Sequence, residues 1–519
     1  MLPSVNEPSM NPETDPLATT GSQEIPGYCT LCRSRCGTLN VVRNGVFVEV
    51  RPDAQHPTGS SICTKGKAAP ELVYSTHRLK TPMRRTKPKG AGDPGWERIS
   101  WDEALDTIAQ RLLKIRQDSG AESVVFGIST PSGTALSDSV DWIERLVRLY
   151  GSPNISSTTE ICNWHKDEAH ALTFGCGMPA ADFSNAGLIL LWGHNPTHTW
   201  LAQADAIARG RAKGARLMVV DPRPIPLAKQ ADCWLRVQPG TDAALALGLV
   251  HLLILHGAYD HDFVRHWTNA AMLVREDNGL LLRACDLDAK APGHPLIWNE
   301  KQETLEAWNT AAPEPNASLN SCALDKQVVV KTIAGDVKCK TVWRLLIEAV
   351  AEYTPEKVAE LTGVPPEALK SAARLLSESG PVAYHAWTGV GQTTNATQTD
   401  RAIAILYALT GSFDRKGGNR LFTKPPVAPL GGLSLLPSGQ IEKALGLEER
   451  PLGPPSQGKV TARDTYRAIL DGKPYKVRAL VAFGTNHLVT QADTRIAEEA
   501  MKALEFHVHC DLFETPSAR

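Results

Sequence analysis

Short apolar runs and longer amphipathic stretches alternate along the chain from Ser100 onward. Six apolar runs are bounded by Gly, Pro or Asp, at residues 123–128, 188–192, 216–220, 382–387, 477–483 and 506–510. Runs of this length without polar alternation are typical of parallel strands that are buried on both faces. The pattern therefore predicts a set of buried parallel strands.

The stretches between these runs have the hydrophobic period of helices. They cover residues 138–149, 199–213, 242–256, 399–409 and 493–504. A further helix begins at Ser100, which forms a capping box with Glu103 and precedes a face of Ala104, Ile108 and Leu112. Strands that alternate with helices predict an α/β fold, and 519 residues allow three or four domains.

Two strand ends resemble each other. In the first, Gly193 is followed after 28 residues by Asp221, and in the second, Gly484 is followed after 27 residues by Asp511. Ligands of open parallel sheets bind beyond the carboxyl ends of the strands, where a glycine lets the backbone approach a phosphate. The repeat predicts two pseudo-symmetric, doubly wound α/β domains that bind nucleotides, and neither copy matches the Gly-x-Gly-x-x-Gly pattern of NAD-binding domains.

Composition narrows the possible partners. With 55 basic and 56 acidic residues, the formal net charge is -1, which gives no electrostatic footprint for nucleic acid or an anionic membrane. No apolar run is long enough for a membrane span, and residues 1–25 are polar, without a signal peptide pattern. We expect a mobile leader at 1–25 and a cytoplasmic protein without a membrane span.

Four cysteines near the start indicate a metal site. Cys29, Cys32 and Cys36 lie on one short segment, and Cys63 follows after 26 intervening residues. Three thiolates on one loop and a fourth from a returning segment suit a 4Fe-4S cluster. A zinc site and four unrelated buried cysteines are the alternatives. The remaining seven cysteines are scattered singly, unlike a disulfide framework.

Taken together, these motifs resemble the catalytic subunits of molybdenum or tungsten enzymes that carry two pterin guanine dinucleotides, the dimethyl-sulfoxide-reductase superfamily. The resemblance covers roughly residues 27–519 and rests on the cysteine quartet with Cys63-Thr-Lys-Gly, on the segments that begin at Trp192, Val220, Gln238 and Ala408, and on Gly417-Gly418. It implies two cofactors, a 4Fe-4S cluster and a bis-molybdopterin guanine dinucleotide centre with Mo or W.

The resemblance implies one protein ligand to the metal, about a hundred residues beyond the cluster. Cys162 lies 99 residues after Cys63, and a thiolate suits a soft, sulfur-rich site. An ordinary core thiol is the alternative interpretation of Cys162, and Cys176 is the alternative ligand.

Three more residues are catalytic candidates. Lys65 matches a lysine that relatives place between the cluster and the nearer pterin, with a surface lysine as the alternative. Gln392 matches a position near the active centre, with a buried structural glutamine as the alternative. His165 lies three residues after Cys162 and could move protons, or it could be a packing or surface histidine.

The resemblance also implies the cofactor contacts and the domain bounds. The expected contacts are Trp192, Gly193, Asn195, Pro196, Asp221, Arg223, Gly240, Asp242, Gly389, Gln392, Gly484, Asn486 and Asp511. The expected domains are an iron-sulfur domain at 26–80, joined by part of 412–475, a first α/β domain at 81–155 and 377–519, and a second at 156–376.

The implied activity is a two-electron oxidoreductase that acts on a small-molecule substrate, similar to formate dehydrogenases and to nitrate or sulfur-compound reductases. Its redox partner would be ferredoxin, a flavoprotein or an iron-sulfur subunit. Asn163 departs from the histidine of formate dehydrogenases, and Arg33 departs from the aspartate of acetylene hydratase. A hydratase-like enzyme without net redox and a metal-free electron-transfer scaffold are the alternatives.

The resemblance further implies a C-terminal domain that covers both pterins. We expect this domain to be absent from the chain. A fragment, a split subunit whose separate partner chain supplies the domain, and a nonfunctional remnant all stay open.

Overall fold

A computed structural model describes residues 21–128, 139–157, 159–162, 164–308, 320–423 and 425–519. The chain divides into two compact units. The first contains Met1–Cys162, His198–Asp205 and Pro425–Arg519, and the second contains Asn163–Thr197 and Ala206–Lys424. Both units mix helices with parallel strands, which confirms the predicted α/β class.

The described strands, in chain order, are β1 (Ser22–Tyr28), β2 (Gly37–Arg43), β3 (Val46–Pro52), β4 (Met83–Arg85), β5 (Trp96–Arg98), β6 (Val124–Ile128), β7 (Ile155–Ser156), β8 (Ala180–Ala181), β9 (Leu188–Trp192), β10 (Arg216–Val220), β11 (Cys233–Leu235), β12 (Leu273–Arg275), β13 (Leu296–Asn299), β14 (Thr304–Ala307), β15 (Gln327–Thr332), β16 (Gly335–Thr341), β17 (Val382–Ala386), β18 (Asn419–Arg420), β19 (Lys459–Val460), β20 (Ala479–Phe483) and β21 (Phe506–Cys510).

The described α-helices are α1 (Thr64–Lys67), α2 (Ala69–Val73), α3 (Trp101–Ser119), α4 (Val140–Tyr150), α5 (Thr159–Cys162), α6 (Trp164–Phe174), α7 (Pro196–Thr199), α8 (Leu201–Ala212), α9 (Asp242–Leu255), α10 (His261–Trp267), α11 (Ala284–Leu287), α12 (Val342–Val350), α13 (Pro355–Thr362), α14 (Pro366–Glu378), α15 (Thr388–Gly391), α16 (Ala396–Leu409), α17 (Ala462–Leu470), α18 (His487–Thr490) and α19 (Thr494–Ala503).

The first unit is built on a five-stranded sheet in the order β19-β7-β6-β20-β21, and every neighbouring pair is parallel. One face packs Val125 and Leu480 against residues of α17 and α19. The other face packs Phe126 and Val481 against residues of α3 and α4. Helices therefore cover both faces. The carboxyl ends of the strands form the edge at which a doubly wound sheet binds its ligands.

The second unit is built on a four-stranded parallel sheet in the order β11-β10-β9-β17. Alternate residues of β9 serve two different cores. Leu190 packs with residues of α9, α14 and α16, whereas Leu191 packs on the opposite face with Ile207 of α8. This sheet is also covered on both faces, so its ligand-binding edge is again the carboxyl end of the strands.

Smaller sheets complete the two units. The first contains an antiparallel sheet in the order β1-β2-β3 and the β4-β5 pair. The second contains the antiparallel sheet β12-β16-β15 and the pairs β13-β14 and β8-β18. The β1-β2-β3 sheet carries the cysteine loop.

The strand predictions are confirmed for all six apolar runs, with ends that differ by no more than two residues. The helix predictions are also confirmed, except that the stretch 199–213 forms two helices, α7 and α8, separated at Trp200. The Trp200 carbonyl accepts from the N–H groups of Gln203 and Ala204, so α8 begins a new first turn there. The predicted start of α4 at residue 138 lies outside the described residues.

The predicted capping box at α3 is half formed. The Ser100 hydroxyl accepts from the Glu103 N–H at 3.1 Å, as predicted. The Glu103 carboxylate instead accepts from Arg84 at 2.6 Å, because a strand brings this guanidinium beside the helix.

Two predicted boundaries lie elsewhere in the structure. β1 begins at Ser22, inside the segment predicted as a leader, because its backbone pairs with β2 from Ser22 onward, opposite Arg43; residues 1–20 lie outside the described ranges. β17, expected in the first α/β domain, pairs with β9 and belongs to the second unit. The other domain bounds stay predictions.

Two expectations concern absences. None of the eleven cysteines, all of which are described, forms a disulfide. No helix in the described parts of the chain is both long enough and apolar enough to span a membrane.

Candidate functional site

The cysteine loop connects β1 to β2. The Cys29 N–H donates to the Cys36 carbonyl at 2.8 Å and closes the loop. Arg35 adopts a positive φ of 44°, which turns the chain between Cys32 and Cys36. The backbone therefore folds three cysteines into one tight turn.

Cys63 is the residue that caps the start of α1, and this short helix packs against the loop. A Cβ atom at Gly66 would lie 2.6 Å from Ile62 Cγ1 and 3.5 Å from the Cys29 sulfur. The glycine of the Cys-Thr-Lys-Gly segment is thus required by the close approach of Ile62, and the added carbon would lie at ordinary contact distance from the Cys29 sulfur.

The four thiols are close enough to influence one another electrically. Burial raises the pKa of Cys36, and negative charge at Cys32, Cys29 and Cys63 raises it further. Among the residues that the structure describes, no three His, Cys, Asp or Glu side chains are placed to hold a single metal ion. Four mutually repelling thiolates need a cationic group among them, and iron in a cubane cluster fits this donor set.

Lys65 lies on the exposed side of α1 and contacts the cysteine loop. Its Nζ donates to the Leu31 carbonyl at 2.6 Å, between Cys29 and Cys32. The positive charge of Lys65 also lowers the pKa of Cys29, against the larger effect of burial. Lys65 therefore contributes a fixed positive charge beside the cysteine loop.

Cys162 is the last residue of α5 in the first unit, and it is partly buried. The chain reaches α5 from Ser156, the last residue of β7. The Ser157 carbonyl accepts from Gln491 Nε2 at 3.5 Å, just beyond α18. Because the strands of this sheet are parallel, β7 and β20 end at the same edge. Cys162 therefore comes shortly after the edge that carries Gly484.

Gly484 forms a turn at the carboxyl end of β20. Its φ is +58°, and its N–H donates to the Cys510 carbonyl of β21 at 2.8 Å. Asn486 follows, and its side-chain oxygen accepts from the Ser517 hydroxyl at 2.7 Å. Burial acts to raise the pKa of Asp511, but hydrogen bonds from His509 and from backbone N–H groups outweigh it, so this pKa is lowered.

The second sheet carries a matching turn at Gly193. A Cβ atom at Gly193 would lie 2.9 Å from the Gly389 Cα, and the Gly389 N–H donates to the Gly193 carbonyl at 3.1 Å. Two predicted cofactor residues, one beyond β9 and one beyond β17, therefore touch backbone to backbone. Asn195 lies in the same turn and accepts from the Thr197 hydroxyl at 2.9 Å, and Pro196 begins α7.

Asp221 lies where β10 ends. Its carboxylate accepts from the Arg223 N–H at 2.8 Å, and burial raises its pKa. The Arg223 side chain is exposed. Asp221 and Asp511 hold equivalent positions, yet their surroundings shift the two pKa values in opposite directions.

Trp192 and Asp242 are joined inside the second unit. The Trp192 indole N–H donates to Asp242 Oδ1 at 2.7 Å, and both side chains are buried. Burial raises the pKa of Asp242, which begins α9 directly after the turn at Gly240. Trp192 is therefore a core residue that fixes an acid near the strand ends.

His165 is buried in the second unit, on α6. Its Nδ1 bonds to the Asp400 carboxylate, and its Nε2 lies 3.4 Å from Lys166 Nζ. Gln392 ends α15 with an exposed side chain, so the buried structural interpretation of this glutamine is wrong. Cys176 lies in the second unit, beyond α6, and burial raises its pKa.

Asp400 and Lys166 were not among the predicted site residues. Asp400 is a single acid on the apolar helix α16 and is completely buried, a pattern that marks a functional acid. Lys166 follows His165 in a polar stretch, where no feature distinguishes it from a surface lysine. Its burial was therefore not predictable from the sequence.

Comparisons with known proteins agree with this geometry. The family model described as "Molybdopterin oxidoreductase" matches residues 78–519, and the model described as "Molybdopterin oxidoreductase Fe4S4 domain" matches residues 22–75. These families support a molybdenum or tungsten pterin and a 4Fe-4S cluster as the cofactors.

The chain is similar to named proteins over most of its length. It is 27% identical to the dopamine dehydroxylase of Eggerthella lenta, over 94% of this chain and 57% of that protein. It is 26% identical to the acetylene hydratase of Syntrophotalea acetylenica, over 95% of this chain and 61% of that protein. The chain thus spans somewhat more than half the length of these relatives.

A solved structure shares the fold. Acetylene hydratase from Pelobacter acetylenicus matches with a TM-score of 0.74 at 24% identity, over 95% of this chain and 61% of that one. With the family model matched from residue 78 to residue 519, the chain belongs to the molybdopterin oxidoreductase family, and residues 22–75 correspond to its Fe4S4 domain.

Proposed function

We propose that this chain is the catalytic subunit of a two-electron oxidoreductase in which Cys162 is the protein ligand to molybdenum or tungsten. One observation supports this assignment most. The segment that ends in Cys162 leaves β7 at the edge of a parallel sheet that also carries the Gly484 turn. A ligand at this edge would have both a thiol and a phosphate-binding turn beside it.

Each unit would bind one of the two guanine dinucleotides at its own strand ends. Gly484, Asn486 and Asp511 would hold one guanine dinucleotide. The second would be held by the edge of the other sheet, at Trp192, Gly193, Asn195, Pro196, Asp221, Arg223, Gly240, Asp242, Gly389 and Gln392. The bound centre supplies the two-electron exchange with substrate, whereas the protein sets charge, proton supply and access.

Electrons would leave singly through the cluster held by Cys29, Cys32, Cys36 and Cys63. The ammonium of Lys65 is held on the Leu31 carbonyl inside the cysteine loop. A fixed cation at this point stabilises the reduced, more negative cluster and raises its potential. The acceptor would be ferredoxin, a flavoprotein or an iron-sulfur subunit.

Proton supply would fall to the second unit. His165 has a fixed orientation because Asp400 holds its Nδ1. We therefore assign His165 a role in proton supply through the groups that it holds in place, and keep the substrate class as a small molecule that gains or loses an oxygen atom, a sulfur atom or a hydride.

Elemental analysis tests the cofactor assignment. Purified protein should contain iron, acid-labile sulfide, molybdenum or tungsten, and guanine nucleotide released by acid. Iron and sulfide without either metal or nucleotide would instead support an electron-transfer scaffold. Turnover that needs no electron acceptor or donor would support a hydratase-like enzyme.

Two substitutions test the metal ligands separately. Cys162→Ser should abolish or redirect turnover and preserve the visible absorption of the cluster. Cys36→Ala should deplete iron. Cys285→Ser, at a partly buried thiol of α11 in the second unit, is the matched control and should leave both properties unchanged. Full activity of Cys162→Ser would refute the ligand assignment.

A further inference from the structure

Two buried side chains of opposite charge flank one imidazole in the second unit. Lys166 is 1% exposed and Asp400 is 0% exposed. His165 bonds through Nδ1 to Asp400 Oδ2, and its Nε2 lies 3.4 Å from Lys166 Nζ. The first two residues are on α6 and Asp400 is on α16, and these helices pack against each other.

With Asp400 ionised and Lys166 protonated, donor and acceptor chemistry fixes the direction of both bonds. An ionised carboxylate only accepts, so Nδ1 of His165 carries the proton that Asp400 receives. An ammonium only donates, so Nε2 accepts from Lys166. Asp400 therefore selects the one neutral tautomer of His165 that can hold Lys166.

The ammonium is also fixed on its other side. Lys166 Nζ lies 4.4 Å from the centre of the Trp387 ring, within the range of a cation–π contact. Trp387 follows the last residue of β17, and its N–H donates to the Trp192 carbonyl at 3.0 Å. The charge of Lys166 is thus held near the carboxyl ends of β9 and β17, beside the residues proposed to bind cofactor.

The backbone is shaped around this group as well. A Cβ atom at Gly391 would lie 2.1 Å from His165 Nε2, so α15 approaches the imidazole as closely as glycine allows. Gly391 directly precedes Gln392, one of the proposed site residues. The triad therefore lies against the segment that carries Gly389 and Gln392.

Several titratable side chains surround the triad. Burial lowers the pKa values of His170 and His385 and raises that of Tyr407, so these three side chains are neutral near pH 7. His194 faces His385, with ring centres 4.5 Å apart, and the charge of Asp400 contributes to the raised pKa of Asp242. Burying a lysine and an aspartate costs free energy that apolar side chains would not cost, so this arrangement points to function.

We propose that Lys166 is the proton donor of the reaction, with His165 and Asp400 as its positioning residues. The inference rests on the proposed function and deepens it. Removing one oxygen atom from a substrate takes two electrons and two protons and releases one water molecule. Lys166 would break one Nζ–H bond to give one of these protons and become a neutral amine, solvent water would give the other proton, and a reduced redox partner would supply the two electrons through the cluster. The amine would later regain its proton from water; in the reverse direction the amine accepts the proton and the electrons leave.

Two substitutions at Lys166 separate proton donation from charge. Lys166→Arg keeps the charge and the cation–π contact, but a guanidinium does not give up its proton. Lys166→Met keeps much of the length of the side chain and loses both. We expect both variants to lower kcat about 100-fold with little change in KM. Lys370→Met, at an exposed lysine of α14, is the control and should keep the wild-type rate.

Asp400→Asn tests the positioning role through the pH profile. Loss of the carboxylate charge removes stabilisation of the ammonium through His165, so the pH at which activity falls should move down. Full kcat in Lys166→Arg or Lys166→Met, or an unchanged pH profile in Asp400→Asn, would overturn the proposal.

An NMR measurement tests the triad even in variants that lose the metal. In the full chain labelled with ¹⁵N-histidine, His165 should show a protonated Nδ1 and an acceptor Nε2, and Lys166→Met should shift the Nε2 resonance. An Nε2–H tautomer would overturn the inference. If the wild-type protein shows the protonated Nδ1 but no metal-dependent turnover, the proposed function fails while the arrangement of the triad stands.

Discussion

Gly193 and Gly484 hold equivalent positions in two separate parallel sheets. Both have a φ of +58°, and both donate their N–H over 2.8 Å to the last residue of the neighbouring strand, Val220 or Cys510. A side chain is strained at this φ, and the turn brings backbone N–H groups to the strand ends. The repeat seen in the sequence is therefore a repeat of backbone geometry.

Gly193→Ala should destabilise the protein and lower its content of guanine nucleotide. The new Cβ would be strained at positive φ, which costs about 1–2 kcal/mol, and would also meet the Gly389 backbone at 2.9 Å. Gly363→Ala is the matched control, because Gly363 has a φ of +73° and no atoms within 4 Å of the added carbon. Thermal melting should show a larger drop in Tm for Gly193→Ala than for Gly363→Ala. Equal drops would contradict the close contact with Gly389.

The strand ends could be predicted from sequence because their signals are local. An apolar run followed by a Gly-x-Asn turn determines the strand, the turn and the edge at which ligands bind. The partners of His165 could not be predicted, because Asp400 lies 235 residues further along the chain and meets it only through the packing of α6 on α16.

Local sequence signals also could not predict the sheet to which β17 belongs. Its apolar run predicts a buried strand equally well in either unit. Pairing with β9 is decided by the helices that pack on both sides of the sheet, and Asn419 helps to fix the strand. Its side chain accepts from the Tyr384 N–H at 2.8 Å and donates to the Tyr384 carbonyl at 2.9 Å.

Asp242→Asn should be more stable than the wild type, and the advantage should be larger at pH 7 than at pH 4. Burial raises the pKa of Asp242 above its unfolded value, so the folded protein binds this proton more tightly and loses stability as the pH rises. The amide oxygen can still accept from Trp192. Urea unfolding at the two pH values measures this difference, and an advantage that shrinks with rising pH would show that the sign is wrong.

Arg148→Lys should destabilise the first unit by about 3 kcal/mol. Arg148 is completely buried, and its guanidinium donates to the carbonyls of Pro153 at 3.2 Å and Gly458 at 3.3 Å. A single ammonium cannot donate to the carbonyls of both segments, so at least one buried carbonyl would lose its hydrogen-bond donor. Arg463→Lys, at an exposed position of α17, should change the free energy of unfolding very little. Similar losses in both variants would argue against the buried contacts as the cause.

Because of His487, the folded protein should lose stability as the pH falls from 6.5 to 4. It stands where the first repeat has Pro196, as the first residue of α18, and it is 1% exposed. Burial lowers its pKa from 6.5 to about 4, so in this range the unfolded chain binds a proton that the folded chain does not. The free energy of unfolding should therefore fall with pH by roughly 3 kcal/mol over the range, and the loss should be complete below pH 4.

His487→Gln removes the titrating group and keeps a polar side chain that can reach the Ser156 hydroxyl, which lies 3.4 Å from His487 Nε2. Subtracting its unfolding free energy from that of the wild type, measured in urea at half-unit steps of pH, isolates the contribution of this one imidazole. The difference should be flat above pH 7 and fall as the pH drops through 6. A difference that stays constant from pH 7 to pH 4 would mean that His487 titrates alike in the folded and unfolded chains, and that the turn beyond β20 is open to water.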